Sequence, residues 1–310
     1  MQSPLKGKHP AIQLISFVGL SLAGVIAVMF IGMLAGVFIW GPAFTDSFLV
    51  AGKGEDYILH MKYLQILSHL GMFIVPAFVF GWLAGGNAIR YFSLNKGMSV
   101  PVFLVSIALI FLSQPLINLL AEWNSTLSLP ESLSGIESWM KESEEQATAL
   151  TGLFMKDSRW SSMFFNLLMM AVIPALGEEL VFRGVLQRLL IKWMRPAWIS
   201  ILFTAIIFSA FHMQFYGFLP RLILGLILGY AYYASGRLWV PIVIHFVNNG
   251  MVVVVTWLYE LGFNQMNPDT FGNFNDNPLF LIISLFLFTA SLVIFAKLAK
   301  KHRYEQSAAI

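Results

Sequence analysis

In this chain of 310 residues 58% are hydrophobic and only 11% charged, with a mean hydropathy of +0.74, whereas an ordinary soluble domain carries roughly 25% charge; a soluble fold could not hide that much apolar surface. The formal charge of +3 and the pI of about 9.0 do not mark a nucleic-acid binder, because in so apolar a chain the placement of Lys and Arg says more than their sum. Cysteine is absent, which excludes disulfides, Cys-ligated zinc and a thiol nucleophile.

Uncharged runs of about 18 to 20 residues cross the hydrocarbon core of a bilayer as helix. On that basis membrane helices are expected near residues 11–40, 61–84, 100–121, 160–194, 197–216, 218–235, 238–258 and 279–299, eight in all. The first, Ala11 to Trp40, is too long for a signal-peptide core and lacks a cleavage site, so it reads as an anchor. Between the third and fourth, Leu133, Ile136, Met140, Ala147, Leu150 and Phe154 recur at helical spacing among Glu137, Glu142, Glu144 and Glu145. That pattern predicts an amphipathic helix on the outer face, a solvated connector rather than a substrate gate. The fourth span is apolar to about Leu176 and then amphipathic, with Arg183, Arg188, Lys192 and Arg195 expected to protrude until Pro196 ends it.

The expected fold is an all-α integral membrane protein whose helices enclose a polar intramembrane chamber. It reads as one structural domain in three parts. Residues 1–159 supply the N-terminal helices and the amphipathic segment, 160–258 a catalytic core, and 259–310 an outer loop, the last span and a basic tail. With both termini in the cytoplasm, 13 of the 19 Lys and Arg residues fall on the inner side, while the acids concentrate outside at 122–157 and 260–276. Trp40, Trp82, Trp123, Trp160, Trp198, Trp239 and Trp257 stand at span ends, where an amphipathic ring is most comfortable. A bacterial plasma membrane is the expected setting, with membrane lipids as surroundings.

Glu178 and Glu179 follow the apolar stretch Met163 to Leu176, while His212, His245 and Asn249 lie inside apolar spans. Such groups cost several kcal/mol in lipid, so they should face one another or a water-filled cavity. Glu178 and His212 are equally far in sequence from the Arg195–Pro196 tip, about 25 Å at helical rise, and so should be level on adjacent antiparallel helices. His245 and Asn249, at i and i+4, share a helix face. Matching their depth to Glu178 requires the fourth and fifth helices to project about 13 Å into the cytoplasm, which puts the chamber in the cytoplasmic half.

Glu179 and Arg183, also at i and i+4, read as an intrahelical ion pair, which leaves Glu178 as the reactive acid. His69 reads as an interhelical hydrogen bonder, and Arg221 as a snorkelling side chain. A desolvated carboxylate beside an imidazole can take a proton from water as that water attacks a carbonyl, the couple expected of Glu178 and His212. His245 and the Asn249 amide could then stabilise the oxyanion. Neither Gly-x-Ser-x-Gly nor His-Glu-x-x-His is present.

These residues stand as Glu178-Glu179-Leu180-Val181-Phe182-Arg183, Phe208-Ser209-Ala210-Phe211-His212 and His245-Phe246-Val247-Asn248-Asn249. Together they resemble the three motifs Glu-Glu-x-x-x-Arg, Phe-x-x-x-His and His-x-x-x-Asn of the CPBP intramembrane proteases, also called the CAAX-prenyl protease or Abi family. The resemblance implies an endopeptidase in which Glu178 and His212 activate water, His245 and Asn249 hold the oxyanion, and Glu179 and Arg183 support them. It implies a peptide or membrane-anchored protein as substrate, in prenyl-protein-like or peptide processing. Members are labelled metalloproteases or assigned a metal-free glutamate mechanism. A zinc ion would look to Glu178, Glu179, His212 and His245, but no compact ligand motif demands one, and the metal-free mechanism is favoured. The competing readings are a transporter or channel using the same Glu and His, and a non-catalytic immunity protein that binds a peptide in the chamber.

Overall fold

A computed structural model describes residues 3–49, 55–263 and 278–308. Among them every regular element is a helix: α1 (Pro10–Trp40), α2 (Pro42–Leu49), α3 (Glu55–His69), α4 (Val75–Gly85), α5 (Ala88–Tyr91), α6 (Val100–Ser125), α7 (Ser134–Met155), α8 (Trp160–Asn166), α9 (Ile173–Glu179), α10 (Arg188–Trp193), α11 (Ala197–Phe211), α12 (Phe218–Ser235), α13 (Trp239–Glu260) and α14 (Pro278–Ala308), with short 3-10 and π turns between some of them. The acidic outer segment expected at 260–276 lies outside the described residues beyond Phe263.

Among the described residues seven helices are long and apolar enough to cross a membrane. The fold is that of a multi-pass all-α membrane protein. Two of these spans are composite. Asp56–Gly85 joins α3 to α4 through a π turn, Leu70–Ile74, and Trp160–Trp193 joins α8, α9 and α10 through two more, Leu167–Val172 and Leu180–Gln187. The first two of these π turns end just before Pro76 and Pro174, each near the start of the next helix. Proline has no N–H and its ring crowds the carbonyl a turn earlier, so the helix widens there instead of breaking.

The eighth expected span is shorter than its apolar run suggests. At 197–216 the structure has only α11, whose 15 residues rise about 22 Å and fall short of a hydrocarbon core about 30 Å thick. The helix stops because Met213, at φ 54°, turns the chain out of helical conformation and into α12. Hydropathy could register the apolar content of this stretch but not the stop.

Burial identifies the centre of the bundle. Half of the apolar window of Trp160–Trp193 is inside the protein, against 11% for the first and last spans, whose side chains are left to lipid. The amphipathic segment does form a helix, α7. The end of the fourth span is less exposed than expected: Lys192 and Arg195 are exposed, but Arg183 is fully buried. Arg188 lies 4.1 Å over the Tyr91 ring and donates to the Tyr91 carbonyl, so these two arginines point into the protein.

Candidate active site

Glu178 and Glu179 end α9, near the middle of the most buried span, and adjacent helical residues point about 100° apart. The two carboxylates therefore enter different surroundings. Glu179 is fully buried in a dry cluster. Its Oε1 accepts from Arg183 Nη1 at 2.6 Å and from His245 Nδ1 at 2.9 Å. Arg183 donates its Nη2 to the Gly225 carbonyl at 3.1 Å and stacks its guanidinium 4.7 Å over the Phe208 ring. Gly225 permits this because a Cβ there would meet Ala205 Cβ at 3.0 Å, so only glycine lets α11 and α12 approach so closely. The pair read from the sequence as intrahelical also reaches into α12 and α13.

Phe208, the first residue of Phe-x-x-x-His, fills the space between the imidazoles. Its ring centroid is 5.1 Å from that of His212 and 5.8 Å from that of His245. An aromatic residue at this position thus fixes both rings against Arg183.

Glu178 faces three imidazoles. His69 Nε2 lies 3.3 Å from Glu178 Oε1, while His212 Nε2 and His245 Nε2 stand 3.9 and 4.0 Å from Oε2. Those two distances are too long for direct hydrogen bonds, and Oε2 is buried with no hydrogen-bond partner. The tautomers follow from the opposite ring edges. His212 Nδ1 donates to the Phe208 carbonyl at 2.9 Å and His245 Nδ1 to Glu179, so in the neutral rings both Nε2 atoms carry lone pairs. Three acceptors, two imidazole nitrogens and one carboxylate oxygen, converge with no donor between them.

Asn249 is placed differently. Its Nδ2 donates to the Met170 carbonyl at 3.2 Å, within the π turn before α9, and its Oδ1 accepts from Asn248 at 3.1 Å. Asn248 in turn accepts from Gln114 of α6 at 3.3 Å. The structure thus gathers Glu178, Glu179, Arg183, His212 and His245, and sets Asn249 one turn along α13 with one N–H already engaged.

Sequence reasoning missed the part His69 plays here. It is an interhelical hydrogen bonder as expected, but its partner is Glu178. The two meet because Gly177 allows close packing: a Cβ there would lie 3.0 Å from Phe73 Cβ. A mid-span histidine was the only signal, and nothing in the spacing tied it to Glu178. Arg221 sends its guanidinium to the turn before α12 and donates to Gln214, from Nη1 to the carbonyl at 2.9 Å and from Nη2 to Oε1 at 2.6 Å. The same Gln214 donates to Glu144 of α7 at 3.3 Å, and Asn124 at the end of α6 donates to the Phe215 carbonyl at 2.9 Å. The turn after His212 is therefore held from three sides, and α7 is packed against it.

Zinc accepts two imidazoles and a carboxylate, so Glu178, His212 and His245 have the right chemistry. Their geometry does not follow: among the described residues no three His, Cys, Asp or Glu side chains are grouped closely enough to hold an ion. Glu179, the fourth candidate, has its Oε1 committed to Arg183 and His245.

Residues 160–251 match the family model described as type II CAAX prenyl endopeptidase, Rce1-like. No curated protein and no solved structure matches the chain. The matched segment runs from the start of α8 into α13 and includes all three motifs. Over residues 160–251 this chain is similar to the CAAX-type intramembrane endopeptidases that its motifs resemble.

Proposed function

We propose that Glu178 is the general base of this endopeptidase and that the attacking water sits between Glu178 Oε2, His212 Nε2 and His245 Nε2. The observation that carries the reading is the convergence of those three acceptors at 3.9 and 4.0 Å around a buried, partnerless oxygen. Direct contact would leave the lone pairs facing one another, whereas a water supplies two hydrogens to them. As the water oxygen attacks the scissile carbonyl, Oε2 takes one of its protons and later delivers it to the departing amine nitrogen. His212 accepts the other hydrogen and aims the lone pair.

His69 holds Oε1 by hydrogen bonding, which leaves Oε2 as the single basic oxygen. The tetrahedral oxyanion is stabilised by the second N–H of Asn249, while His245, tied through Nδ1 to Glu179, orients the water with its Nε2 lone pair. No step uses a metal. The substrate class is a peptide segment at or in the membrane, of which the C-terminus of a prenylated protein is one form. Both termini lie in the cytoplasm, with α7 on the outer side.

The test is cleavage by purified protein in liposomes, using a fluorogenic peptide series with and without a C-terminal prenyl group. Cleavage is expected, and to persist after exhaustive dialysis against chelator has removed zinc, as checked by elemental analysis. Joint loss of zinc and activity, restored by added zinc, would overturn the metal-free mechanism. Proton or solute flux without any cleavage would replace the protease by a transporter.

A further inference from the structure

A cavity of about 640 Å³ lies apart from the Glu178 cluster, between the start of α3 and the junction of α7 with α8. On its wall is Lys62, only 7% exposed. Its Nζ donates to Asn166 Oδ1 at 2.8 Å and lies 5.8 and 5.7 Å from the ring centroids of Phe154 and Phe165. No carboxylate among the described residues is within ion-pair distance of it. An ammonium has three donors and a full charge, so one neutral amide and two ring faces leave two hydrogens for an occupant of the cavity. A buried charge so incompletely compensated calls for an anion.

The rest of the wall fits an anion with an apolar stem. Lys156, exposed, adds a second cation at the rim, and Ser158 and Ser161 add hydroxyl donors. Asp157 is occupied, paired with Arg159 at 2.6 Å and accepting from Ser162. The remaining lining includes apolar Ile58, Leu59 and Phe165. The cavity also lies at a membrane boundary: neighbouring Trp160 is 63% exposed, and its ring centroid is 4.3 Å from that of Trp257, the arrangement of an interfacial aromatic belt.

We propose that this cavity binds the phosphate of a membrane phospholipid headgroup, with Lys62 as the buried cation and Lys156 as the cation at the rim. The acyl-glycerol stem lies against Ile58 and Leu59. Asp56, the remaining acid on the wall, offers a counter-charge to the ammonium of an ethanolamine headgroup. The site is independent of the peptidase reading. Because Lys62 also reaches Asn166, a bound lipid would brace α3 against α8.

Native mass spectrometry and thermal unfolding of the purified protein in detergent test this. Titrations use phosphatidylethanolamine, a diacylglycerol of the same chains and inorganic phosphate, on wild type, Lys62→Met and Lys156→Met. Phosphatidylethanolamine should bind and raise the unfolding midpoint, and each substitution should weaken that binding about tenfold, the scale of one charge-assisted hydrogen bond. If Lys62→Met does not fold, Lys156→Met carries the comparison. Equal binding to wild type and Lys156→Met, or an equal effect of diacylglycerol, would overturn the site. An equal effect of inorganic phosphate alone would overturn the lipid as its occupant.

Discussion

The two oxygens of Glu178 sit in different circumstances, and the difference sets what each neighbouring substitution should do. Oε1 has His69 at 3.3 Å, while Oε2 has no bonded partner. If His69 only positions the carboxylate, His69→Ala should lower kcat about 10- to 100-fold, the scale of a hydrogen bond to a charged group, with KM unchanged. His69→Gln keeps an N–H donor and should recover most of the loss. Equal defects in both variants, or a fall in the unfolding midpoint that accounts for the lost activity, would reduce His69 to a packing residue. If Asn249 donates to the oxyanion, it answers to a different stage of the reaction, because that charge exists only once water has added. Asn249→Ala should therefore cost on the order of 100- to 1000-fold in kcat at nearly constant KM. Asn248 is not the bystander that its direction on the helix suggests. It donates to Asn249 Oδ1 and is itself tied to Gln114, so Asn248→Ala should show a smaller defect of the same kind. A raised KM with intact kcat in Asn249→Ala would move that residue to substrate binding.

At the level of elements, the Glu179–Arg183 pair joins three helices. One carboxylate oxygen serves Arg183 and His245 together, and Arg183 carries the link to Gly225 on α12. Breaking a buried pair from one side strands a charge, so Glu179→Gln or Arg183→Ala should each cost about 3 to 5 kcal/mol of stability, read as the shift of a denaturation curve in detergent. The double variant Glu179→Leu with Arg183→Met should be more stable than either single variant yet remain poorly active, because His245 loses the acceptor that fixes its tautomer. A double variant as active as wild type would show that Glu179 serves the fold alone. The sequence made these contacts partly legible. Positions i and i+4 bring Glu179 to Arg183 through helix geometry alone, and equal distances from a hairpin tip put Glu178 level with His212. The His69 contact depends on a glycine that lets two spans close up and on π turns before Pro76 and Pro174. Hydropathy and 3.6-residue spacing register neither.

For the molecule as a whole, composition sufficed to show a membrane protein, because lipid is the only solvent that would cover side chains such as Phe38, 92% exposed, or Ile15, 73% exposed. The eighth span came out shorter than expected because an apolar run records content and not helix length, and α11 ends just before His212, which stands 3.9 Å from Glu178. The central claim is that a carboxylate on the most buried span does the proton transfer. Glu178→Gln tests it most directly, since it keeps the volume, removes the base and strands no charge. Turnover of a membrane-associated peptide by wild type and Glu178→Gln, reconstituted at equal folded protein, is the measurement. The account predicts a fall in kcat on the order of 100- to 10,000-fold, with the unfolding midpoint unchanged or raised; near-wild-type turnover in Glu178→Gln would contradict it.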